Sequence, residues 1–286
     1  MKAVVTGATG FLGGALVREL LKNGDEVTIL ARPGSKRLGN LDEFKNATVL
    51  EKSLEEEFLL PSDGRYEVFF HLAWGGARND FEEQYRNIGN TINCLRAAVK
   101  AGCRRFVCTG SQAEYGETKD LITEETPLRP VTAYGNVKAA AHHLCEAFLR
   151  DTGTDLVWAR VFSVYGEHDN PNTLYSRLME ALKKGEDFIL STDGTHMWNY
   201  LYEGDAARAL RMLASANTPA DVYNVASGES RPLKEYVESV KNALNPKVNI
   251  TYGTEKSGVS LNADVRKLKS AVGEFELIKQ KVVKSK

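Results

Sequence analysis

The chain has 286 residues, of which 42% are hydrophobic and 26% are charged, and its formal net charge is −1. This length allows one large hydrophobic core or two small ones. The near-zero charge excludes a general attraction to nucleic acid or to a membrane surface, and no apolar run approaches the ~20 residues that span a bilayer. The first residues show no secretory signal pattern, and the four cysteines contain no Cys-x-x-Cys pair that would indicate a metal site. We therefore expect a cytoplasmic globular protein without a bound metal ion.

The first fourteen residues predict a strand, a tight turn and the start of a helix. An apolar run at 3–5 is followed by Gly7, Gly10 and Gly13, and then by apolar residues at helical spacing. This arrangement directs unpaired backbone N–H groups and the positive end of a helix dipole at an anion. The expected anion is the pyrophosphate of a dinucleotide. A glycine-rich turn that binds nothing is the alternative, which three glycines alone would not exclude.

A basic segment follows the second predicted strand, which covers residues 26–31. In a dinucleotide-binding fold the end of this strand lies beside the adenosine ribose, where a carboxylate favours NAD. Here Arg32 takes that place, and Lys36 and Arg37 add two further positive charges. The Arg32 guanidinium would pair with a 2′-phosphate, so the sequence favours NADP(H), with NAD(H) as the second choice. A solvated basic loop is the alternative.

Strands and helices alternate through the rest of the first 165 residues. Strands are predicted at 47–50, from Glu67, at 105–111 and at 155–161, and helices over 82–101 and from about Thr132. His71 lies inside a buried strand, which favours a packed core histidine over a catalyst. The small residues after it allow a cofactor to approach the backbone. Because the strands are almost continuously apolar, we expect a parallel sheet with helices on both faces.

Shorter elements follow residue 166. Helices are predicted at 174–184, 203–214, 232–244 and about 265–272, strands at 222–225 and 248–252, and a pair of short strands around an Asp-Gly turn within 188–202. These elements are too few for an independent α/β domain. We predict an α/β protein in which residues 1–165 form a Rossmann-type, doubly wound parallel sheet. Residues 166–286 would form a smaller substrate-binding cap, partly interwoven with it, over the carboxyl edge of the sheet.

A phenol and an ammonium group are predicted to share one face of the helix that begins near Thr132. Tyr134 and Lys138 are four residues apart, so the positive charge would stabilise the phenolate form of Tyr134. Tyr134 could then act as a proton donor or acceptor. Ser111, at the end of an earlier strand, could hydrogen-bond the same substrate oxygen. A Tyr-x-x-x-Lys pattern alone is weak, and its value comes from the order of the motifs along the chain.

That order of motifs resembles one family. The motifs are Thr6-Gly-Ala-Thr-Gly-Phe-Leu-Gly13, His71-Leu-Ala73, Asn87-Ile-Gly-Asn-Thr91, Ala101-Gly-Cys-Arg-Arg-Phe-Val107, Ser111 before Tyr115-Gly116, Tyr134-x-x-x-Lys138, Arg160 with Tyr165-Gly166, and then Tyr200, Asp205 and Asp264. On these residues the chain resembles the extended short-chain dehydrogenases/reductases, a group of nucleotide-sugar epimerases, dehydratases and ketoreductases. The stretches 110–115 and 198–202 resemble a sub-branch of CDP-abequose and paratose synthases.

The resemblance implies roles for particular residues. Tyr134 would be the acid/base, Lys138 would hold the nicotinamide ribose, and Ser111 would polarise the substrate carbonyl. The implied cofactor-binding residues are Gly7, Thr9, Gly10, Phe11, Leu12, Gly13, Arg32, Leu72, Ala73, Asn87, Tyr134 and Lys138. The implied substrate-binding residues are Ser111, Arg160, Ser163, Trp198 and Arg231. The family also implies a homodimer, through the helices near 82–101 and 134–151.

Some positions depart from the family pattern. Trp198 stands where an arginine usually clamps the sugar diphosphate, and Arg231 is expected to supply that charge. Ser163 stands where the family often has asparagine. The stretch 112–114 lacks the acidic pair of the dehydratases, which disfavours dehydration.

The favoured reaction is NADPH-dependent reduction of the 4-keto group of a nucleotide-activated deoxysugar, with Tyr134 as general acid. The basic segment supports this choice because a net reduction normally consumes NADPH. An NAD-dependent 4-epimerase would use the same residues and is the alternative. A non-catalytic dinucleotide-binding regulator is a third possibility, which the intact set of Ser111, Tyr134 and Lys138 disfavours.

Overall fold

Strands and helices alternate through the described part of the chain, which comprises residues 1–62, 64–215, 217–273 and 277 of a computed structural model. The strands are β1 (Lys2–Thr6), β2 (Glu26–Ala31), β3 (Thr48–Glu51), β4 (Val68–His71), β5 (Arg105–Ser111), β6 (Asp155–Val161), β7 (Ser163–Tyr165), β8 (Phe188–Thr192), β9 (Met197–Trp198), β10 (Tyr200–Tyr202), β11 (Val222–Val225), β12 (Arg231–Pro232) and β13 (Ile250–Glu255). The helices are α1 (Phe11–Lys22), α2 (Phe81–Lys100), α3 (Ala133–Leu149), α4 (Leu174–Lys184), α5 (Glu203–Leu213), α6 (Leu233–Leu244) and α7 (Arg266–Val272).

Seven parallel strands form the central sheet, in the order β11-β6-β5-β4-β1-β2-β3. The chain runs outward from β1 through β2 and β3, and then returns to place β4 on the other side of β1. The strand order therefore reverses between β1 and β4. In such a sheet, ligands bind at the carboxyl ends of the strands beside the reversal. The predicted Rossmann-type doubly wound fold is confirmed.

Helices cover both faces of this sheet, because successive side chains of a strand point to opposite faces. In β1, Ala3 and Val5 pack into a core shared with α1 and α5. Val4 points the other way, into a core shared with α2 and α3. All seven residues of β5 are buried. This burial explains why the sequence of the central strands is nearly continuously apolar.

The C-terminal region contributes to both parts of the molecule. Its strand β11 pairs with β6 in the central sheet, and its helix α5 packs against α1. Outside the central sheet, the described residues form three two-stranded sheets, which pair β7 with β10, β9 with β12, and β8 with β13. A separate cluster of apolar side chains from α4, α6 and β8 supports them. The two regions are thus interwoven, and the boundary at residue 165 stays a prediction.

The predicted strand pair around the Asp-Gly turn is wrong in its pairing. The turn itself forms, because the Asp193 carboxylate accepts from the Thr195 N–H at 2.9 Å and Gly194 has φ of +68°. The strands on either side then diverge. β8 pairs in parallel with β13, and β9 pairs antiparallel with β12. Local turn residues therefore identified the bend, while distant partners determined the pairing.

Two further observations concern the whole chain. Within the described residues, no helix is both long enough and apolar enough to cross a membrane. All four cysteines are free and buried. Burial raises the pKa of the Cys103 and Cys108 thiols to about 12, so these thiols are protonated at neutral pH.

Candidate active site

The turn between β1 and α1 leaves no room for side chains at two of its glycines. A Cβ atom at Gly7 would lie 2.7 Å from the Ala73 nitrogen, and Gly7 has φ of +78°. A Cβ atom at Gly13 would lie 2.5 Å from the Gly7 carbonyl carbon. Gly10 is the N-cap of α1 without a side-chain cap, and the first turn of α1 has no acidic residue. The N–H groups of that turn are therefore left for an anion, and this cradle fits a dinucleotide pyrophosphate.

Other predicted cofactor contacts flank the cradle. Phe11 and Leu12 form the first turn of α1, and the Thr9 carbonyl accepts from Asn40 Nδ2 at 3.0 Å. Arg32 follows β2 directly, and its side chain is exposed. Its guanidinium has no hydrogen-bond or ion-pair partner within the described residues. Arg32 is therefore available to bind a ligand at the carboxyl end of β2.

His71 fixes the backbone that approaches the glycine cradle. Its Nδ1 lies 3.0 Å from Thr6 Oγ1, and its Nε2 lies 3.0 Å from Thr91 Oγ1. Thr6 Oγ1 in turn accepts from the N–H groups of Leu72 and Ala73, both at 3.2 Å. Burial, with a smaller contribution from the Lys138 charge, lowers the pKa of His71 to about 3. His71 is thus a packed, neutral core residue, as expected from its position.

Helix α3 brings Tyr134 and Lys138 to the carboxyl ends of the strands. Thr132 caps the helix by accepting from the Gly135 N–H at 3.0 Å. Lys138 is only 2% exposed, and its Nζ donates to the Thr109 carbonyl at 2.5 Å. The same Nζ lies 5.9 Å from the centroid of the Tyr134 ring. The predicted pair therefore shares one helix face, with the ammonium group anchored to β5.

Ser111 lies at the end of β5, beside the first turn of α3. Its Oγ accepts from the Ala113 N–H at 3.2 Å, which leaves the hydroxyl proton free to be donated. Gly135 packs on the Ala113 carbonyl so closely that a Cβ there would collide with it. This contact joins the turn that carries Ser111 to the helix turn that carries Tyr134. Ser111, Tyr134 and Lys138 therefore all lie at the carboxyl end of β5.

Arg160 has a different environment from the one predicted. It is 3% exposed, and its Nε donates to Glu114 Oε2 at 2.8 Å. Its Nη1 donates to the Tyr115 hydroxyl at 3.0 Å. Glu114 is fully buried and also accepts from the Ser111 N–H at 2.7 Å. The predicted role of Arg160 in substrate binding is therefore not supported. It neutralises a buried carboxylate, and a Ser-x-x-Glu capping box was the sequence signal for that carboxylate.

Asn87 acts on the loop that follows β4. Its Oδ1 accepts from the Gly75 N–H and its Nδ2 donates to the Gly75 carbonyl, both at 3.0 Å. On the same loop, Trp74 Nε1 donates to Gln84 Oε1 at 2.8 Å. The loop also meets α3, because the Tyr134 N–H donates to the Arg78 carbonyl at 3.0 Å. Asn87 thus reaches the site indirectly, and no sequence pattern indicated the contacts of Trp74 and Gln84.

The three remaining residues of the predicted substrate site lie in the small two-stranded sheets. Ser163 begins β7 and pairs with Tyr200 of β10. Trp198 and Arg231 are direct partners in the antiparallel pair of β9 and β12. The Arg231 guanidinium lies 3.9 Å from the centroid of the Tyr236 ring. Arg231 thus lies beside Trp198, which stands where the family pattern has an arginine. This is the place where the sequence predicts that Arg231 supplies the missing positive charge.

Five tyrosines form a cluster around these strands, which sequence reasoning did not recognise as a unit. They are Tyr165, Tyr175, Tyr200, Tyr202 and Tyr236. The ring centroids of Tyr165 and Tyr175 are 4.6 Å apart. Burial raises the pKa of Tyr175 and of Tyr236, so both hydroxyls stay protonated. The cluster offers aromatic surface and neutral hydroxyls next to Arg231.

A possible metal-ligand group also occurs within the described residues, although the sequence predicted no metal site. The ligand atoms of His142, His143 and Glu146 on α3 lie within 4.8 Å of one another. His142 Nε2 lies 3.3 Å from Glu146 Oε1, and the His142 ring stacks on Trp158 with 4.9 Å between centroids. These contacts account for the group without an ion.

The fold and the site together define a dinucleotide-binding protein of the Rossmann type. The NAD dependent epimerase/dehydratase family model matches residues 3–226. The chain therefore belongs to the NAD-dependent epimerase/dehydratase family, which confirms the resemblance to nucleotide-sugar enzymes of the extended short-chain type.

Relatives cover nearly the whole chain. The uncharacterized UDP-glucose epimerase YtcB of Bacillus subtilis is 26% identical over 289 residues, which covers 94% of this chain and 91% of the relative. A putative UDP-glucose 4-epimerase of Methanocaldococcus jannaschii is 27% identical over 282 residues, covering 93% and 91%. The solved structure of MoeE5 in complex with UDP-glucose and NAD has a TM-score of 0.81 and 30% identity, covering 96% of this chain and 92% of the other.

Proposed function

We propose that the protein is an NAD-dependent 4-epimerase of a nucleotide-activated hexose, with a UDP-hexose as substrate. The observation that carries the proposal is the placement of Ser111, Tyr134 and Lys138 at the carboxyl end of β5, supported by the Lys138–Thr109 hydrogen bond and the Gly135–Ala113 contact. The names of the relatives, two UDP-glucose epimerases and a complex with UDP-glucose and NAD, support the choice of substrate and cofactor. The sequence alone favoured the 4-ketoreductase and gave the 4-epimerase as the alternative, and the proposal now prefers the 4-epimerase.

The chain's own residues account for the proton chemistry at the sugar C4 atom. Tyr134 accepts the proton of the C4 hydroxyl, with the Lys138 ammonium group on the same helix face. The Ser111 hydroxyl donates to the same oxygen, which develops carbonyl character. When bound, the nicotinamide supplies the acceptor and the donor of the hydrogen on C4. Tyr134 returns its proton to the oxygen once the other face of C4 has been reduced.

The substrate diphosphate is assigned to the cap. Arg231 offers the cation, and the tyrosine cluster offers hydroxyl donors and aromatic surface around it. Trp198 lies on β9, which pairs with the Arg231 strand, and Ser163 lies on β7, which pairs with β10; both would contact the nucleotide sugar.

A 4-ketoreductase that uses NADPH is the second candidate, and one observation favours it. Arg32 is exposed and without a partner in the described residues, at the point where a carboxylate would select NAD. A guanidinium there suits a 2′-phosphate. Cofactor preference therefore separates the two candidates.

The proposed activity is tested by incubating the purified protein with UDP-glucose and NAD and following UDP-galactose by chromatography. Dinucleotide released on denaturation is identified in the same samples. The epimerase is supported if UDP-glucose is converted to UDP-galactose, if Tyr134→Phe strongly reduces this conversion, and if the released dinucleotide is NAD. If UDP-glucose is not converted and a nucleotide 4-keto-6-deoxysugar instead oxidises NADPH, the reductase is the activity and the epimerase proposal is wrong. Binding of a dinucleotide with neither activity would favour the regulator.

We also propose that two chains associate through α2 and α3, as the family resemblance implies. Phe81 and Tyr85 stack on each other on α2 and are each 57% exposed, and Leu144 on α3 is 43% exposed. Large apolar side chains left in solvent on two packed helices are typical of a covered surface. Light scattering tests this proposal. We expect the wild type to be a dimer and Leu144→Glu to be a monomer.

A further inference from the structure

The Lys138 ammonium is buried without a carboxylate partner. It is 2% exposed, and within the described residues no acidic side chain forms an ion pair with it. A buried charge must be compensated by hydrogen bonds or by oriented dipoles. The Thr109 carbonyl, at 2.5 Å from Nζ, supplies one contact. An ammonium group has three N–H donors, so this contact leaves two to be satisfied.

The indole ring of Trp74 supplies a second contact. The Lys138 Nζ lies 3.5 Å from the ring centroid, well inside the range of a cation–π interaction. The indole also packs edge-to-face with the Tyr134 ring. The two ring planes lie at 89° to each other, and their centroids are 6.3 Å apart. Trp74 therefore touches both members of the catalytic pair. One N–H donor of Lys138 then remains for a further partner.

The indole itself is rigidly held. Its Nε1 donates to Gln84 Oε1 at 2.8 Å, and the Gln84 amide nitrogen donates to the Gly75 carbonyl at 3.2 Å and the Ala77 carbonyl at 3.1 Å. Gln84 is 1% exposed on α2. The loop after β4 is thus tied to α2 on both sides of the ring. Rotation of the indole away from Lys138 would break a buried hydrogen bond.

We infer that Trp74 is a positioning residue for Lys138: its π face and the Thr109 carbonyl fix two N–H donors of the ammonium and thereby orient the third. The inference rests on the proposed function only in assigning that third donor to the cofactor. Loss of the indole leaves the ammonium free to turn, so dinucleotide binding weakens. A desolvated cation–π contact is strong enough for an effect of about 10- to 30-fold.

A double-mutant cycle on dinucleotide affinity tests this coupling. The four proteins are the wild type, Trp74→Leu, Lys138→Met and the double variant, titrated calorimetrically with NADH and with NADPH. Trp74→Leu weakens binding by about 10- to 30-fold when Lys138 is present, and by less than about 2-fold in the Lys138→Met background. Trp74→Phe keeps a π face and stays within about 3-fold of the wild type. Equal losses in the two backgrounds, or a Phe variant as weak as the Leu variant, overturn the inference.

A second measurement needs neither cofactor nor sugar. Thermal unfolding of the same four proteins, without ligand, gives the coupling between the two side chains directly. Non-additive shifts in Tm are expected, because each single variant removes the same contact. Additive shifts would contradict the contact. Neither measurement involves sugar turnover, so failure of the proposed epimerase activity would not be mistaken for failure of this inference.

Discussion

Two adjacent glycines give a matched test of the cofactor cradle. At Gly13, a Cβ atom would lie 2.5 Å from the Gly7 carbonyl carbon and 2.9 Å from the Ala8 nitrogen. Both neighbours are backbone atoms, so Gly13→Ala forces the turn to open. At Gly14 the nearest atom would be the Ala8 carbonyl oxygen at 3.4 Å, an ordinary contact. Gly14→Ala is therefore the matched control, because it changes the neighbouring residue without a collision between the new Cβ atom and the backbone.

The expected difference between the two variants follows from known costs. Overpacking costs about 1–3 kcal/mol, so Gly13→Ala is destabilised by that amount. Gly14→Ala gains up to about 1 kcal/mol of helix propensity. For a chain of this size, the gap between the two corresponds to about 2–7 °C in Tm. Calorimetric titration should show dinucleotide affinity at least about 10-fold weaker for Gly13→Ala and nearly unchanged for Gly14→Ala. Equal Tm and equal affinity for Gly13→Ala and the wild type would refute the cradle.

Four further predictions concern the rest of the site. Tyr134→Phe lowers kcat by about 10²- to 10⁴-fold while dinucleotide affinity stays near that of the wild type; equal loss of both would argue against an acid/base role. Arg32→Ala weakens NADPH binding more than NADH binding, and an equal effect on the two would remove the 2′-phosphate assignment. Glu114→Gln leaves Arg160 buried without its countercharge and lowers the free energy of unfolding in urea by about 3–5 kcal/mol; an unchanged free energy would show that the pair does not stabilise the fold. Burial lowers the pKa of His71 from 6.5 to about 3 in the folded protein. As the pH falls, His71 therefore binds a proton in the unfolded chain before it does so in the folded protein. Stability should fall as pH drops below about 6.5, and thermal melts of His71→Gln should show a flatter profile.

The sequence was sufficient where function depends on a short local pattern. The spacing of Gly7, Gly10 and Gly13 after an apolar strand predicted the cradle, because a βα turn is built from consecutive residues. The interval between Tyr134 and Lys138 predicted a shared helix face for the same reason. The alternation of strands and helices was enough to predict a doubly wound sheet.

Contacts between distant segments were not predictable in this way. Trp74 and Gln84 meet because the loop after β4 folds back on α2. Arg160 on β6 pairs with Glu114 in the turn that follows the neighbouring strand β5, so its role as a buried countercharge depended on strand order rather than on its motif. The Asp-Gly turn was recognised, yet β8 and β9 took partners from far along the chain. Pairing across a sheet depends on tertiary packing, which a local pattern does not contain.

Isotope tracing tests the central claim, hydride transfer at the sugar C4 with Tyr134 as acid/base. UDP-glucose carrying deuterium at C4 is incubated with the protein and NAD, and UDP-galactose is examined by NMR and mass spectrometry. We expect a product that keeps the deuterium at C4, because the same hydrogen leaves and returns to that carbon, and formation of that product about 10²- to 10⁴-fold slower with Tyr134→Phe. Loss of the deuterium to solvent, or undiminished conversion by Tyr134→Phe, would contradict it.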